Sequence, residues 1–131
     1  MNGAIVHFEL NAKDTARAKK FYSSLFGWKF QPSSMPGLEN YLLIDGIKPG
    51  GAINGMSPDK PGPVVYLDTD NIDASIKKVR DLGGKADNKQ PIPTQGWFSH
   101  CVDTEGNTFS LFQSDPSVTA ETEQEYQQAR A

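Results

Sequence analysis

Cysteine occurs once in these 131 residues, at Cys101, so no disulfide can close within the chain and no cysteine-based zinc cluster can be assembled. Its expected place is that of a small buried hydrophobe. Histidine is nearly as scarce, with His7 and His100 the only imidazoles. Any general base or metal ligand of that type must be one of these two. A basic excess is missing as well. Thirteen Lys and Arg stand against sixteen Asp and Glu, a net charge of −3, which leaves nothing to neutralise a phosphate backbone and excludes nucleic acid as the expected partner. No apolar run approaches the roughly 20 residues of a membrane helix, and Met1 to Leu10 lacks the basic start and apolar core of a secretory leader. No membrane partner and a cytoplasmic location are the expectations.

What is present suffices for one ordinary domain, with 37% hydrophobic and 22% charged residues. Its plan is set out between Ile5 and Trp28. Ile5, Val6, Phe8 and Leu10 supply the apolar content of a strand, while His7 and Glu9 share one parity and so one face. Asp14 can cap a helix, because its carboxylate can accept from the amides of the following turn. Ala18, Phe21, Tyr22, Leu25 and Phe26 then recur at three- and four-residue steps, the stripe of an amphipathic helix lying on a sheet. Gly27 ends it, and Trp28, Lys29 and Phe30 begin another strand.

The residues from Gln31 to Gly37 read as a loop, since Pro32, Pro36 and Gly37 punctuate any regular pattern. Tyr41 to Ile44, the turn dipeptide Asp45 and Gly46, and the returning Ala52 and Ile53 read as a hairpin. Gly50 and Gly51 mark either a bulge in its second strand or room for a ligand. After the proline-rich connector from Ser57 to Pro63, Val64 to Leu67 is a strand, and Ile72, Ile76, Val79 and Leu82 step along a second helix closed by Gly83 and Gly84. Ala18 to Phe21 and Ile76 to Val79 lie 58 residues apart, and Gly27 and Gly84 lie 57 apart, which indicates an internal repeat. Lys89 to Gln95, with Pro91 and Pro93, reads as a second rim loop. Trp97 and Phe98 begin a strand that turns at Asp103 to Asn107 and returns over Thr108 to Gln113. Phe109 and Leu111 face one way on that return, Ser110 and Phe112 the other. The tail from Ser114 is polar, with Thr122 and Glu125 as a capping box for a short helix.

A duplicated strand, helix and three-strand unit, with His7 on its first strand, the Asp14 to Trp28 helix and exit, and the Asp103 to Asn107 turn, resembles the vicinal oxygen chelate superfamily. Glyoxalases, bleomycin resistance proteins and extradiol dioxygenases are its relatives. The resemblance implies an α+β fold of two βαβββ modules, at about residues 3–55 and 63–114, forming a curved, cup-shaped mixed sheet with helices on its outer face. A linker at about 56–62 and a polar tail at about 115–131 complete one domain. It also implies a metal held by the first and fourth strands of each module. Carried across, those slots fall on His7, on Gly50 or Gly51, on Val64 or Val65, and on Ser110. Only His7 is a good ligand, because glycine and valine offer no donor.

The expectation is therefore a small-molecule binding protein of glyoxalase or bleomycin-resistance type, with no cofactor and no metal, and by analogy a homodimer. By parity Tyr66, Ser110 and Phe112 line the cup with His7 and Glu9, and Trp97 is a further candidate at the rim. The alternative is a glyoxalase-like lyase, isomerase or dioxygenase in which His7 and Glu9 do acid–base work, with or without a divalent ion. In the plainest reading His7 and Glu9 hydrogen-bond neighbours across the sheet, and His100 packs between Phe98 and Val102. Lys48 and Lys89 are either solvated or anion-facing.

Overall fold

The structure, a computed structural model, describes residues 3–35, 38–57, 59–60 and 62–119. The capping box at Thr122 and Glu125, and Pro36, Gly37, Pro58 and Pro61 of the two loops, lie outside the described residues. The class is α+β, and the chain forms two compact units. One runs from Val6 to Val65; the other joins the residues up to Ile5 to the chain from Tyr66 onward.

The first unit holds β1 (Ile5–Asn11), α1 (Thr15–Phe26), β2 (Phe30–Pro32), β3 (Tyr41–Ile44) and β4 (Gly50–Asn54). The Asp14 carboxylate accepts from the Arg17 amide at 2.9 Å, and Gly27 closes the helix at φ +72° with its amide on the Ser23 carbonyl. Both ends are where short polar caps and a left-handed glycine place them. The strand order is β2-β3-β4-β1, antiparallel except for the β1–β4 pair, so the sheet is mixed. Pro32 belongs to β2 rather than to the loop expected there. A sheet edge tolerates proline because one side of the strand needs no amide donor.

The stripe on α1 is amphipathic as expected, yet none of its residues is buried, and Phe21, Leu25 and Phe26 are 60%, 56% and 62% exposed. Instead of entering a core, the aromatic side chains pair along the helix exit. Tyr22 stacks on Trp28 with ring centres 5.2 Å apart, and Phe26 lies 5.5 Å from the same indole.

The second unit holds β5 (Val64–Asp68) from Tyr66 on, α2 (Ile72–Asp81), β6 (Lys85–Ala86), β7 (Gln90–Ile92), β8 (Gly96–Val102) and β9 (Thr108–Ser114). Its order is β5-β9-β8-β6, with β7 also paired to β8. The strand β7 corrects the reading of Lys89 to Gln95 as loop throughout: Pro91 sits in a short strand opposite Trp97. Gly3 and Ala4 bond the backbone of Asp68, which ties the start of the chain to this unit. Asn71 caps α2 by accepting from Ala74. The buried face of α2, Ile72 and Ile76, meets Cys101 and Leu111 in a core flanked by Val79, Ala86, Trp97 and Phe109. Cys101 is thus the packed hydrophobe its rarity implied.

Candidate functional site

One face of the first sheet carries its polar residues. His7 and Glu9 share a parity on β1 and stand beside Gly50 and Ala52 of β4, while Tyr41 of β3 is opposite Asn54. These registers bring four side chains together. The Tyr41 hydroxyl donates to Glu9 Oε2 at 2.6 Å and is 2.8 Å from His7 Nε2. Asn54 Nδ2 lies 3.5 Å from Glu9 Oε1, and Asn54 Oδ1 accepts from the Met56 amide at 2.8 Å, which turns the donor end of the amide toward the carboxylate. Glu9, Tyr41 and Asn54 are each no more than 7% exposed. A carboxylate so buried must be hydrogen-bonded, and here its partners come from two other strands.

Burial pushes the His7 imidazole below its ordinary 6.5, with the negative charge of Glu9 opposing that shift in part. The folded state therefore resists protonating this ring. The stability gained by keeping it neutral is full above about pH 6.5 and is lost as pH falls through the depressed folded value. We expect the urea midpoint of the wild type to fall more steeply between pH 7 and pH 5 than that of His7→Gln, and superposable profiles would refute the assignment.

The two glycines of β4 differ sharply. A Cβ at Gly51 would lie 2.4 Å from the Phe8 ring on the opposite face, whereas one at Gly50 would meet only His7 Nδ1, at 3.9 Å. Gly51→Ala should displace Phe8 and cost about 1–3 kcal/mol, with Gly50→Ala nearer neutral. Paired thermal melts of the two variants measure the difference, and equal melting temperatures would contradict the close approach of Phe8.

The remaining candidates belong to the second unit. His100 Nδ1 is 2.8 Å from the buried Ser110 hydroxyl, and Phe98 meets the His100 ring edge-on. Phe98 is opposite Phe112 and His100 opposite Ser110, so these four share one face. Tyr66 is buried on β5. Trp97 has the other parity: it packs on the α2 core, donates to Asp115 at 3.3 Å and lies under the Lys89 ammonium. It does not share a face with Ser110 and Phe112. Lys48 is exposed, and Lys89 also pairs with Asp73.

The superfamily's metal asks for several imidazole or carboxylate donors. Among the described residues at its expected slots, His7 alone offers such a donor. Gly50 and Val64 carry no donor, the Ser110 hydroxyl is engaged by His100, and the Glu9 oxygens are engaged by Tyr41 and Asn54. Among the described residues no three His, Cys, Asp or Glu converge as a cation site.

Comparison with known proteins bears on the same residues. The profile of a glyoxalase-like domain matches residues 7–112. A glyoxylase-like domain-containing protein of Didymella fabae is 32% identical over 120 residues, which is 85% of this chain and 94% of that protein. A putative glyoxylase, CFP32, of Mycobacterium bovis is 30% identical over 123 residues, 86% of this chain and 46% of that one; the chain spans about half its length. Among solved structures, methylmalonyl-CoA epimerase from Mycobacterium tuberculosis superposes with a TM-score of 0.61 at 14% identity, covering 87% of this chain and 89% of that one. At that identity the likeness speaks for the fold alone. No helix among the described residues is long and apolar enough to cross a membrane.

Proposed function

The chain belongs to the glyoxalase-like domain family, within the vicinal oxygen chelate superfamily, and on that premise we propose that it binds a small organic molecule at the His7 face without the superfamily's metal. The observation that supports this is the donor set. Of the slots that the superfamily uses for metal, His7 alone keeps a strong ligand, and the nearby carboxylate of Glu9 is committed to Tyr41 and Asn54. A ligand then occupies the face beside the imidazole where the superfamily holds its metal. Pairing with a second copy and a cytoplasmic setting are parts of the same proposal, the first by analogy with the superfamily.

A thermal-shift screen of the purified chain against aromatic antibiotics and metabolites, with elemental analysis alongside, tests it. A ligand present at 100 times its Kd should add about 2.7 kcal/mol of stability to the wild type. His7→Ala should lose most of that gain. Stoichiometric divalent metal, with turnover that depends on it, would overturn the proposal.

A second reading is supported by the bridge itself. A phenol between imidazole and carboxylate can stabilise an imidazolium, which suits His7 as a general base on a carbonyl or epoxide substrate. Turnover abolished by His7→Ala without bound metal would favour it.

A further inference from the structure

The apolar stripe of α1 has no core to enter. Phe21, Leu25 and Phe26 are each more than half exposed, and no residue of the helix is buried. Their rings belong to a contiguous aromatic surface: Phe21 meets Tyr22 edge-on at 5.1 Å, Tyr22 stacks on Trp28, and Trp28 meets Phe30 at 6.5 Å. Exposed apolar residues scattered singly are normal, whereas a contiguous patch of them marks a surface that another body covers.

Charge says which body. Between Lys13 and Phe30 five Lys and Arg stand against one Asp, the helix cap, while the rest of the chain carries eight against fifteen. The segment is a basic island on an acidic protein. Arg17, Lys19, Lys20 and Lys29 pair with no carboxylate among the described residues, whereas on α2 Lys77 is bonded to Asp81. Arg17, Phe21 and Leu25 follow at four-residue steps in one row along the helix, with Lys20 and Ser24 in the next, so charge flanks the apolar strip.

A second copy of this chain fits the face poorly. Phe21 and Phe26 leave roughly 90–150 Å² each uncovered, and with Leu25 the patch reaches about 300–400 Å², against about 800 Å² per partner in a stable interface. Twofold pairing there would also set one basic island against another.

We propose that α1 is an interfacial helix that seats the protein on an anionic lipid surface. Phe21, Leu25 and Phe26 enter the boundary between headgroups and acyl chains, and Arg17, Lys19 and Lys20 meet the headgroup phosphates. A bilayer deforms around projecting rings and needs no matching groove. Trp28, in contact with Tyr22 and Phe26, supplies the amphipathic ring that favours such a boundary. The expectation of no membrane partner rested on the lack of a spanning segment and of a leader, and a helix lying in the interface needs neither. The twelve residues of α1 are too few to span, and no described helix is long and apolar enough to do so.

The test is sedimentation of the full chain with vesicles of phosphatidylcholine, alone or mixed with phosphatidylglycerol. The chain should partition onto the anionic vesicles at least about tenfold more strongly than onto the neutral ones, and raised salt should release it. Lys19→Glu with Lys20→Glu, and separately Phe21→Ser with Leu25→Ser, should each weaken that partition about tenfold or more. These side chains are exposed, so thermal melts of both variants should match the wild type. Equal partition onto the two kinds of vesicle, or none onto either, overturns the inference. So does a wild-type dimer, seen by light scattering, that Phe21→Ser with Leu25→Ser dissociates, because a second copy then covers the face. Soluble polyglutamate that binds the wild type more tightly than the anionic vesicles do assigns the face to an acidic protein and overturns it as well. The vesicle, salt and polyglutamate comparisons use the wild type, so they decide the matter even if a variant fails to fold.

Discussion

Tyr41→Phe is expected to destabilise the chain by about 2–4 kcal/mol, the largest effect of removing a single atom anywhere in the first sheet. Glu9 is 7% exposed, and its one short bond among the described residues comes from the Tyr41 hydroxyl, with Asn54 a longer 3.5 Å away. Without the phenol the carboxylate stays buried with a poor partner, and His7 Nε2 loses its contact with the hydroxyl. Shape barely changes, so the cost is electrostatic. A double-mutant cycle isolates it: in a Glu9→Gln background the buried charge is gone, and the same Tyr41→Phe change should cost markedly less, a coupling of about 0.5–3 kcal/mol. Urea denaturation of the four proteins reads both quantities. A single variant within about 0.5 kcal/mol of wild type would mean that Glu9 is solvated in a way the geometry excludes.

Sequence offers Tyr41 as an aromatic that could line a pocket, but not as the bridge between His7 and Glu9, and the reason is physical. Period-two alternation places His7 and Glu9 on one face from sequence alone, and a local rule likewise finds the Asp14 cap and the Gly27 stop. Tyr41 reaches Glu9 only because β3 pairs β4 with Tyr41 opposite Asn54, and β4 pairs β1 in parallel with Asn11 opposite the same residue. Alternation gives a face, while a neighbour across two strands requires the register. The α1 stripe shows a similar limit. Its spacing reports an apolar side but not what covers it, and Phe21, Leu25 and Phe26 are left exposed. Trp97 is different, since a signal was present. It shares parity with Ser99 and Cys101, and a buried cysteine on that face already pointed toward α2 rather than toward Ser110. Pro91 hid β7 because proline marks loops, although an edge strand accepts it.

Gly96→Ala should be at least as costly in the second unit, about 3 kcal/mol or more. Gly96 opens β8 at φ +148°, opposite Ser114 of β9 and Ile92 of β7. A Cβ there would stand 1.9 Å from the Gln113 carbonyl oxygen and 2.8 Å from the Asp115 amide nitrogen. Neither is the end of a side chain that can swing aside, and the Asp115 amide is itself bonded to the Gln95 carbonyl at 2.9 Å. The strands must part, or the residue must leave its conformation. Backbone strain of about 1–3 kcal/mol and overpacking of similar size then add, against a total stability of about 5–15 kcal/mol. Gly106→Ala is the matched control: its φ is +86°, yet nothing lies within 4 Å of the added carbon, so only the conformational part applies. The difference between the two urea midpoints reports mainly the steric part, because the backbone conformations at φ +148° and +86° are both unfavourable for alanine. Trp97, adjacent to Gly96 and bonded to Asp115, should lose its native fluorescence environment in the first variant and keep it in the second. Equal losses in the two variants would show that β8 and β9 do not approach so closely, and the pairing of His100 with Ser110 four residue pairs further along that ladder would lose its support.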